Sequence, residues 1–327
     1  MFPGQSSSKP AHSEKHPVFD EICDSCSKEL RSKGFDAEVY LLQGGVGLKI
    51  LNEDFPSIAK IAHLPISEFD FSLVSNPMLE SLSFFRLEGL KLSTRPKVQF
   101  SQLSVFSLKR LHADGYSDND HSILRDHPLI ELSLRRAKLQ SLDFLKAIKL
   151  ETLYLSNNPI ESIHELSCDS LISLDLFKCP ISNLDPLCDS PIEALNVSGT
   201  MVSDLSALRN SSLRRLEMRA TQVSDLSCLA ECPLEVLLLP GSPIRDIAPL
   251  SFLPINEMNV VGLELNDLGP LSTTPIKKLS ISPEKLTDAQ FDFLEELDLE
   301  TLMGPGDPMG QSPAEFLEKH KGYNKKD

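Results

Sequence analysis

LETLYLSNNPIESIHELSCDS (Leu150–Ser170) is followed directly by LISLDLFKCPISNLDPLCDSP (Leu171–Pro191), and the two 21-residue stretches match position for position. Three, five, ten, thirteen and sixteen residues after Leu150 stand Leu153, Leu155, Ile160, Ile163 and Leu166. The same steps from Leu171 reach Leu174, Leu176, Ile181, Leu184 and Leu187. Moving outward, Leu129, Leu150, Leu171, Ile192, Leu213, Leu234 and Ile255 are each 21 residues apart. All six positions in all seven repeats are Leu, Ile, Val or Met. In a chain that is 41% hydrophobic, coincidence does not produce that. A fixed period of this length marks a stacked-repeat architecture.

Each repeat divides its labour. The Leu-x-Leu pair alternates with period two, so both leucines point inward from a short strand. Eight residues after each start come Ala137, Asn158, Cys179, Thr200, Thr221, Ser242 and Leu263, mostly small or hydrogen-bonding. Such side chains suit a place where the chain turns and buried backbone groups need partners. Next come Ser141, Ser162, Asn183, Asp204, Asp225, Asp246 and Asp267, all good helix N-caps. They precede Leu-x-x-Leu, whose spacing suits one tight turn, and Pro186, Pro249 and Pro270 inside it favour a short 3₁₀ form. No repeat buries its leucines alone; stacking makes the core. The expected fold is an α/β solenoid with a parallel β-sheet on the concave face, short 3₁₀ or turn segments on the convex face, and helical caps.

The pattern Leu-x-x-Leu-x-Leu-x-x-(Asn/Cys/Thr)-x-Leu, clearest in LETLYLSNNPI (Leu150–Ile160) and LISLDLFKCPI (Leu171–Ile181), resembles the leucine-rich-repeat signature. The Ile-x-x-Leu-x-x-Leu return segment resembles the short bacterial, internalin-like class. This resemblance covers Leu129 to Leu286, so 129–286 is read as regular repeats. Upstream, Leu108 and Leu111 keep the phase, while Asp118 and His121 fall where leucines belong. Leu79, Leu82 and Phe84 read as one strand and Ile66, Phe69 and Phe71 as an earlier one, so 58–128 is expected to be degenerate repeats with insertions.

The ends read as caps. Residues 1–17 form a polar tail read as disordered. Over 18–57, Val18 to Lys33 is an amphipathic helix ending at Gly34, and Glu38–Gln43, Gly44-Gly45 and Val46–Leu51 form a hairpin. In 287–327, Asp288 to Leu302 is helical in pattern, and a last helix, Pro313 to His320, precedes a basic tail. FDAEVYLLQGGVGLKIL (Phe35–Leu51) and SPAEFLEKH (Ser312–His320) are loosely similar to repeat extensions of planctomycete-type Ser/Thr protein kinases. That similarity implies an alternative role as a regulatory or targeting subunit of a Ser/Thr kinase or phosphatase system.

Composition narrows the function. A net charge of −15 over 327 residues repels phosphate backbones and anionic lipid, which argues against nucleic-acid and membrane partners. No secretion-signal run or membrane-length apolar stretch is present, and seven cysteines at uneven spacing suit reduced thiols, so a bacterial cytoplasmic monomer is expected. Kinase motifs are absent, and GGVGLK (Gly44–Lys49) lacks phosphate-loop spacing. Cys23 and Cys26 with His12 and His16 form only half a zinc set, and both cysteines fall on the apolar stripe of their helix. The acid-rich stretch around Asp114, Asp118 and Asp120 fails calcium-loop spacing. No enzyme activity, cofactor or metal is therefore assigned.

What remains are the residues between the leucines, which face the concave side. They include Arg135, Arg136, Tyr154, Ser156, Asp175 and Phe177, then Lys178, Ser198, Glu217, Arg219 and Leu238. Polar residues there need no explanation beyond solvation. Tyr154 and Phe177 are aromatic, on adjacent repeats, and not needed for the core; aromatics beside Arg are the usual anchors of protein interfaces. Arg135, Arg136, Tyr154, Phe177, Lys178, Arg219 and Leu238 are accordingly the expected contact residues for a protein partner.

Overall fold

The structure is a computed structural model that describes residues 17–42, 45–94, 98–116, 120–307 and 310–320. Expectations for the tail before Pro17, for Gly44, for Asp118 and for the tail after His320 lie outside these residues. The chain divides into two compact units, Met1–Leu129 and Ile130–Asp327.

The second unit is built from the 21-residue period. Three-residue strands recur as β6 (Glu131–Ser133), β7 (Thr152–Tyr154), β8 (Ser173–Asp175), β9 (Ala194–Asn196), β10 (Arg215–Glu217), β11 (Val236–Leu238), β12 (Glu257–Asn259) and β13 (Lys278–Ser280). Each is parallel to the next. Leu132, Leu153, Leu174, Leu195, Leu216, Leu237, Met258 and Leu279 form one continuous register line. Of the repeat positions identified in sequence, all but Leu166 and Leu265 are buried. Burying one such side chain is worth about 1.5–3 kcal/mol relative to exposure, and here only neighbouring repeats supply the contact.

The return segments are mainly 3₁₀ turns, such as Asp143–Leu145, Asp185–Leu187, Ser206–Leu208 and Ser227–Leu229. Their polar leaders act one residue earlier than a formal N-cap. Ser141, Ser162, Asn183, Asp204, Asp225, Asp246 and Asp267 each accept from the backbone N–H two residues on. These Asx- and Ser-type turns point the chain into the helical turn without needing a longer helix. At Asp225 the bonds from the Ser227 N–H and hydroxyl hold the carboxyl below its usual range.

The strand-to-turn corner is held from inside. Asn158 is 2% exposed; its Nδ2 donates to the carbonyls of Leu134 (2.8 Å) and Leu155 (2.7 Å), and its Oδ1 accepts from Leu139 N–H (3.1 Å). At the equivalent place one repeat on, Cys179 donates to Leu155 O at 3.2 Å. Thr200, Thr221 and Ser242 donate to Val197, Met218 and Met218. Backbone groups left over where strand ends and turn begins are thus satisfied inside the core.

The unit's far end departs from expectation. Helix α2 stops at Glu296 (Asp288–Glu296), and Leu302, read from sequence as its end, lies in strand β14 (Thr301–Met303), paired with β13. Thr287 and Gln290 close a reciprocal capping box at the start, while Leu297 already has extended dihedrals. Two leucine spacings overlap here, and Leu299 and Leu302 serve the next strand. Helix α3 (Pro313–His320) follows, with Phe316 fully buried.

The first unit opens with α1 (Pro17–Ser32), whose Leu30 and Cys26 are buried. Gly34 takes φ +83° and the Phe35 N–H returns to Leu30 O, an αL helix stop that glycine adopts without strain. Strands β1 (Ala37–Leu42) and β2 (Gly45–Ile50) form the antiparallel hairpin. Three parallel strands follow: β3 (Ile66–Phe71), β4 (Gly89–Leu92) and β5 (Arg110–His112).

Two expectations fail in this unit. Leu79–Phe84 is a 3₁₀ segment, not a strand, and the strand is carried by Leu90 and Leu92. The insertions expected within 58–128 are not needed by the register: Leu48, Phe69, Leu90 and Leu111 pair in line at 21-residue steps. The physical reason is side-chain substitution. Phenylalanines fill leucine sites, with Phe69 stacked 5.5 Å from Phe71 and edge-on to Phe85 at 5.0 Å. Phe100 stacks 4.0 Å from Tyr116, whose hydroxyl accepts the Phe100 N–H. Fewer, larger residues hide the aliphatic pattern without changing the coil.

Candidate functional site

In each three-residue strand the middle residue enters the core, and its two neighbours stand on the opposite, outer face of the sheet. On β7 this leaves Thr152 and Tyr154 outward, half-buried, around Leu153. Around Tyr154 the outer face of the second unit organises into a cluster. The Arg135 guanidinium lies 4.3 Å from the Tyr154 ring centroid, and its Nε is 3.6 Å from Asp175 Oδ2. Ser156 Oγ donates to the same Asp175 oxygen at 2.5 Å, and Asp175 Oδ1 accepts the Phe177 N–H at 3.0 Å. Lys178 Nζ sits 5.1 Å from the Phe177 ring centroid. Each cation over a ring is worth about 0.5–1 kcal/mol at a wet surface. Burial, with the Glu131 charge adding to it, pushes the Tyr154 phenol up from its ordinary value, so it stays neutral and able to donate.

Two repeats further on, Glu217 is clasped by Arg215 at 2.7 Å and, more loosely, by Arg219 at 3.9 Å. The Arg219 backbone N–H donates to Ser198 Oγ. The structure thus brings Arg135, Tyr154 and Phe177 onto one surface, with Arg219 beyond them. Asp175 joins Arg135 to the Phe177 backbone; the pattern of leucines gave no sign of that role.

Three sequence-based placements change. Leu238 points to the outer face but is only 4% exposed, flanked in register by Glu217 and Asn259, so it offers almost no area to a partner. Ser156 and Ser198, read as surface residues, are buried to 3% and 1% because they bond to the neighbouring repeat. Arg136 and Lys178 are exposed but stand on the turn after the strand, with φ +55° and +56°.

That turn position is a row of its own. Asn157, Gly199, Ala220, Gly241 and Gly262 occupy it in other repeats, all with φ between +51° and +83°. Glycine and asparagine take this conformation easily, whereas the Cβ of most other L-residues there costs roughly 1–2 kcal/mol. Arg136, Lys178 and Ala220 therefore sit at strained places.

The outer face of the first unit is closed on itself. Tyr40 of β1 lies across Gly47 of β2 and donates to Glu68 of β3 at 2.8 Å. Glu68 in turn lies across Gly89 of β4 and accepts from Arg110 Nε of β5 at 2.8 Å. A Cβ at either glycine would fall about 2 Å from the crossing side chain. Burial and the Glu68 charge push the Tyr40 phenol well above its ordinary value. One chain of polar contacts spans all five strands.

Cys26 faces the core of the first unit, and burial pushes its thiol up; His12 and His16 lie outside the described residues. Among the described residues no cluster of three or more His, Cys, Asp or Glu side chains is placed to hold a metal ion. No helix among them is long and apolar enough to cross a membrane.

Comparison with known proteins agrees with this geometry. Residues 148–189 match the model for leucine-rich repeats in two copies. An internalin from Listeria monocytogenes, 18% identical, aligns over 89% of this chain and 89% of its own with a TM-score of 0.63. Internalin C2 from the same organism, 25% identical, covers 57% of this chain and 84% of its own with a TM-score of 0.48. No curated protein matches. The chain has the fold of a leucine-rich-repeat solenoid, similar to that of the internalin. The kinase-extension resemblance gains no support.

Proposed function

We propose that this leucine-rich-repeat solenoid is a non-catalytic module that binds a protein on the outer sheet face of its second unit, around Arg135, Tyr154, Phe177 and Arg219. One observation carries the reading: Tyr154 and Phe177 stand where they fill no core, each with a cation over its ring. Rigid aromatic side chains steadied by cations bring contact area at low conformational cost, which is how interface anchors work. The mechanism is complementarity of shape and charge, with no covalent step. Free thiols at Cys26, Cys168, Cys179, Cys188, Cys228 and Cys232 suit a reducing compartment, the bacterial cytoplasm in our reading. In the first unit the antiparallel hairpin covers the end of the parallel strands, which supports a monomer.

The test is capture of partners from lysate by the native protein and by the Tyr154→Ala/Phe177→Ala variant. A protein retained by the first and lost by the second, with unfolding of the variant changed by about 1 kcal/mol or less per site, is the expected result. Equal capture by both removes the aromatic pair from the binding surface.

A further inference from the structure

We propose that the segment recognised by this face is acidic, with two carboxylates about four residues apart flanking an apolar side chain midway between them. The inference rests on the sheet-face reading above and names the partner's chemistry.

The first support is local charge. The whole chain carries −15, yet Arg135, Arg136, Lys178, Arg215 and Arg219 gather on or beside this face. Three acids stand among them: Asp175 is engaged by Arg135 and Ser156, Glu217 by Arg215 and Arg219, and Glu131 lies near Tyr154, so the five cations still outnumber them. Arg136 and Lys178 are exposed and make no ion pair among the described residues. A surplus of cations on an acidic molecule attracts anionic segments and orients their approach.

The second support is strain. In the turn row that Gly199, Gly241, Gly262 and Asn157 occupy comfortably, Arg136 and Lys178 hold long cationic side chains at φ +55° and +56°. The Lys178 stem lies across Gly199, where an added Cβ would come within 3.2 Å of Lys178 Cγ. Ala220 bears the same strain, so what sets Arg136 and Lys178 apart is the exposed cation each adds where the row otherwise holds glycine, asparagine or alanine.

Geometry gives the spacing. Arg136 and Lys178 belong to repeats two apart in register, so they are offset by about 10 Å along the stack. In an extended peptide only every second side chain faces the sheet, so carboxylates at i and i+4, about 13 Å apart, span the two cations and their flexible stems, with the side chain at i+2 facing the same way. Its intervening apolar side chain then meets Tyr154 and Phe177.

The experiment selects a random peptide library on the native protein, on Arg136→Gly/Lys178→Gly and on Tyr154→Ala/Phe177→Ala. The expected result is native enrichment of peptides with paired Asp or Glu around an apolar residue. Affinity should fall at least tenfold in the glycine variant, whose thermal midpoint stays level or rises. Peptides without acidic enrichment, or kept by the glycine variant yet lost by the alanine variant, overturn the acidic inference and leave the sheet-face reading standing. No selected peptide, or peptides indifferent to both variants, overturns both. Equal binding of a short double-stranded DNA, lost in the glycine variant, makes the face a general polyanion site and also overturns the inference.

Discussion

Asn158→Ala should lower the stability of the second unit by roughly 3–5 kcal/mol, more than any surface change. The side chain is 2% exposed and serves three backbone groups at once: the carbonyls of Leu134 and Leu155 and the N–H of Leu139. Alanine removes all three partners. It leaves those groups in a core where water cannot replace them, at about 1–3 kcal/mol each, with the Leu155 carbonyl at the low end because the Cys179 thiol also donates to it. A urea titration of native and variant protein reads the shift. Asn158→Thr should lose less, since Thr200 and Thr221 show that a hydroxyl at this place reaches a carbonyl of its own repeat. A loss below about 1 kcal/mol for alanine means the corner is held by the leucines alone.

Leu174→Ala should cost roughly 2–5 kcal/mol, against about 1 kcal/mol or less for Phe177→Ala. Leu174 is 1% exposed and sits in the register line between Leu153 and Leu195, so its removal opens a cavity between repeats. Phe177 is half-buried on the other face, with Lys178 over its ring. Its loss costs part of one surface and a cation contact. Equal unfolding shifts for the two variants contradict the assignment of faces.

The same contrast shows what the sequence makes legible. In the regular repeats the inward set is visible because one aliphatic strand residue and its aliphatic partner two residues on recur without exception. The Asx turns are visible because their residue types are few. In the first unit the leucines at 79 and 82, with Phe84, imitate a strand triad, and the spacing within one repeat does not separate its two offsets. The discriminating signal was present, since stepping back 21 residues from Leu108 lands on Leu87 and then Ile66, the true strand leads.

Exposure on the outer face was less legible than direction. Leu238 points outward as its position requires, yet its register neighbours shield it, and no single-strand pattern contains that information. The turn row could have been found: Asn157, Gly199, Gly241 and Gly262 recur at one place and announce positive φ. That would have moved Arg136 and Lys178 off the strand. The Asp175 bridge required knowing which side chains adjoin across two repeats.

The central claim is that a partner lies on the outer face around Tyr154 and Phe177. Its most direct test places a photo-crosslinking amino acid at Phe177, and separately at Ser203 on the return-segment side, and illuminates each protein in the lysate of its source. The account expects a specific protein adduct from position 177 and none from 203. An adduct of the same partner from 203 alone contradicts it, and would move the binding surface to the 3₁₀ turns.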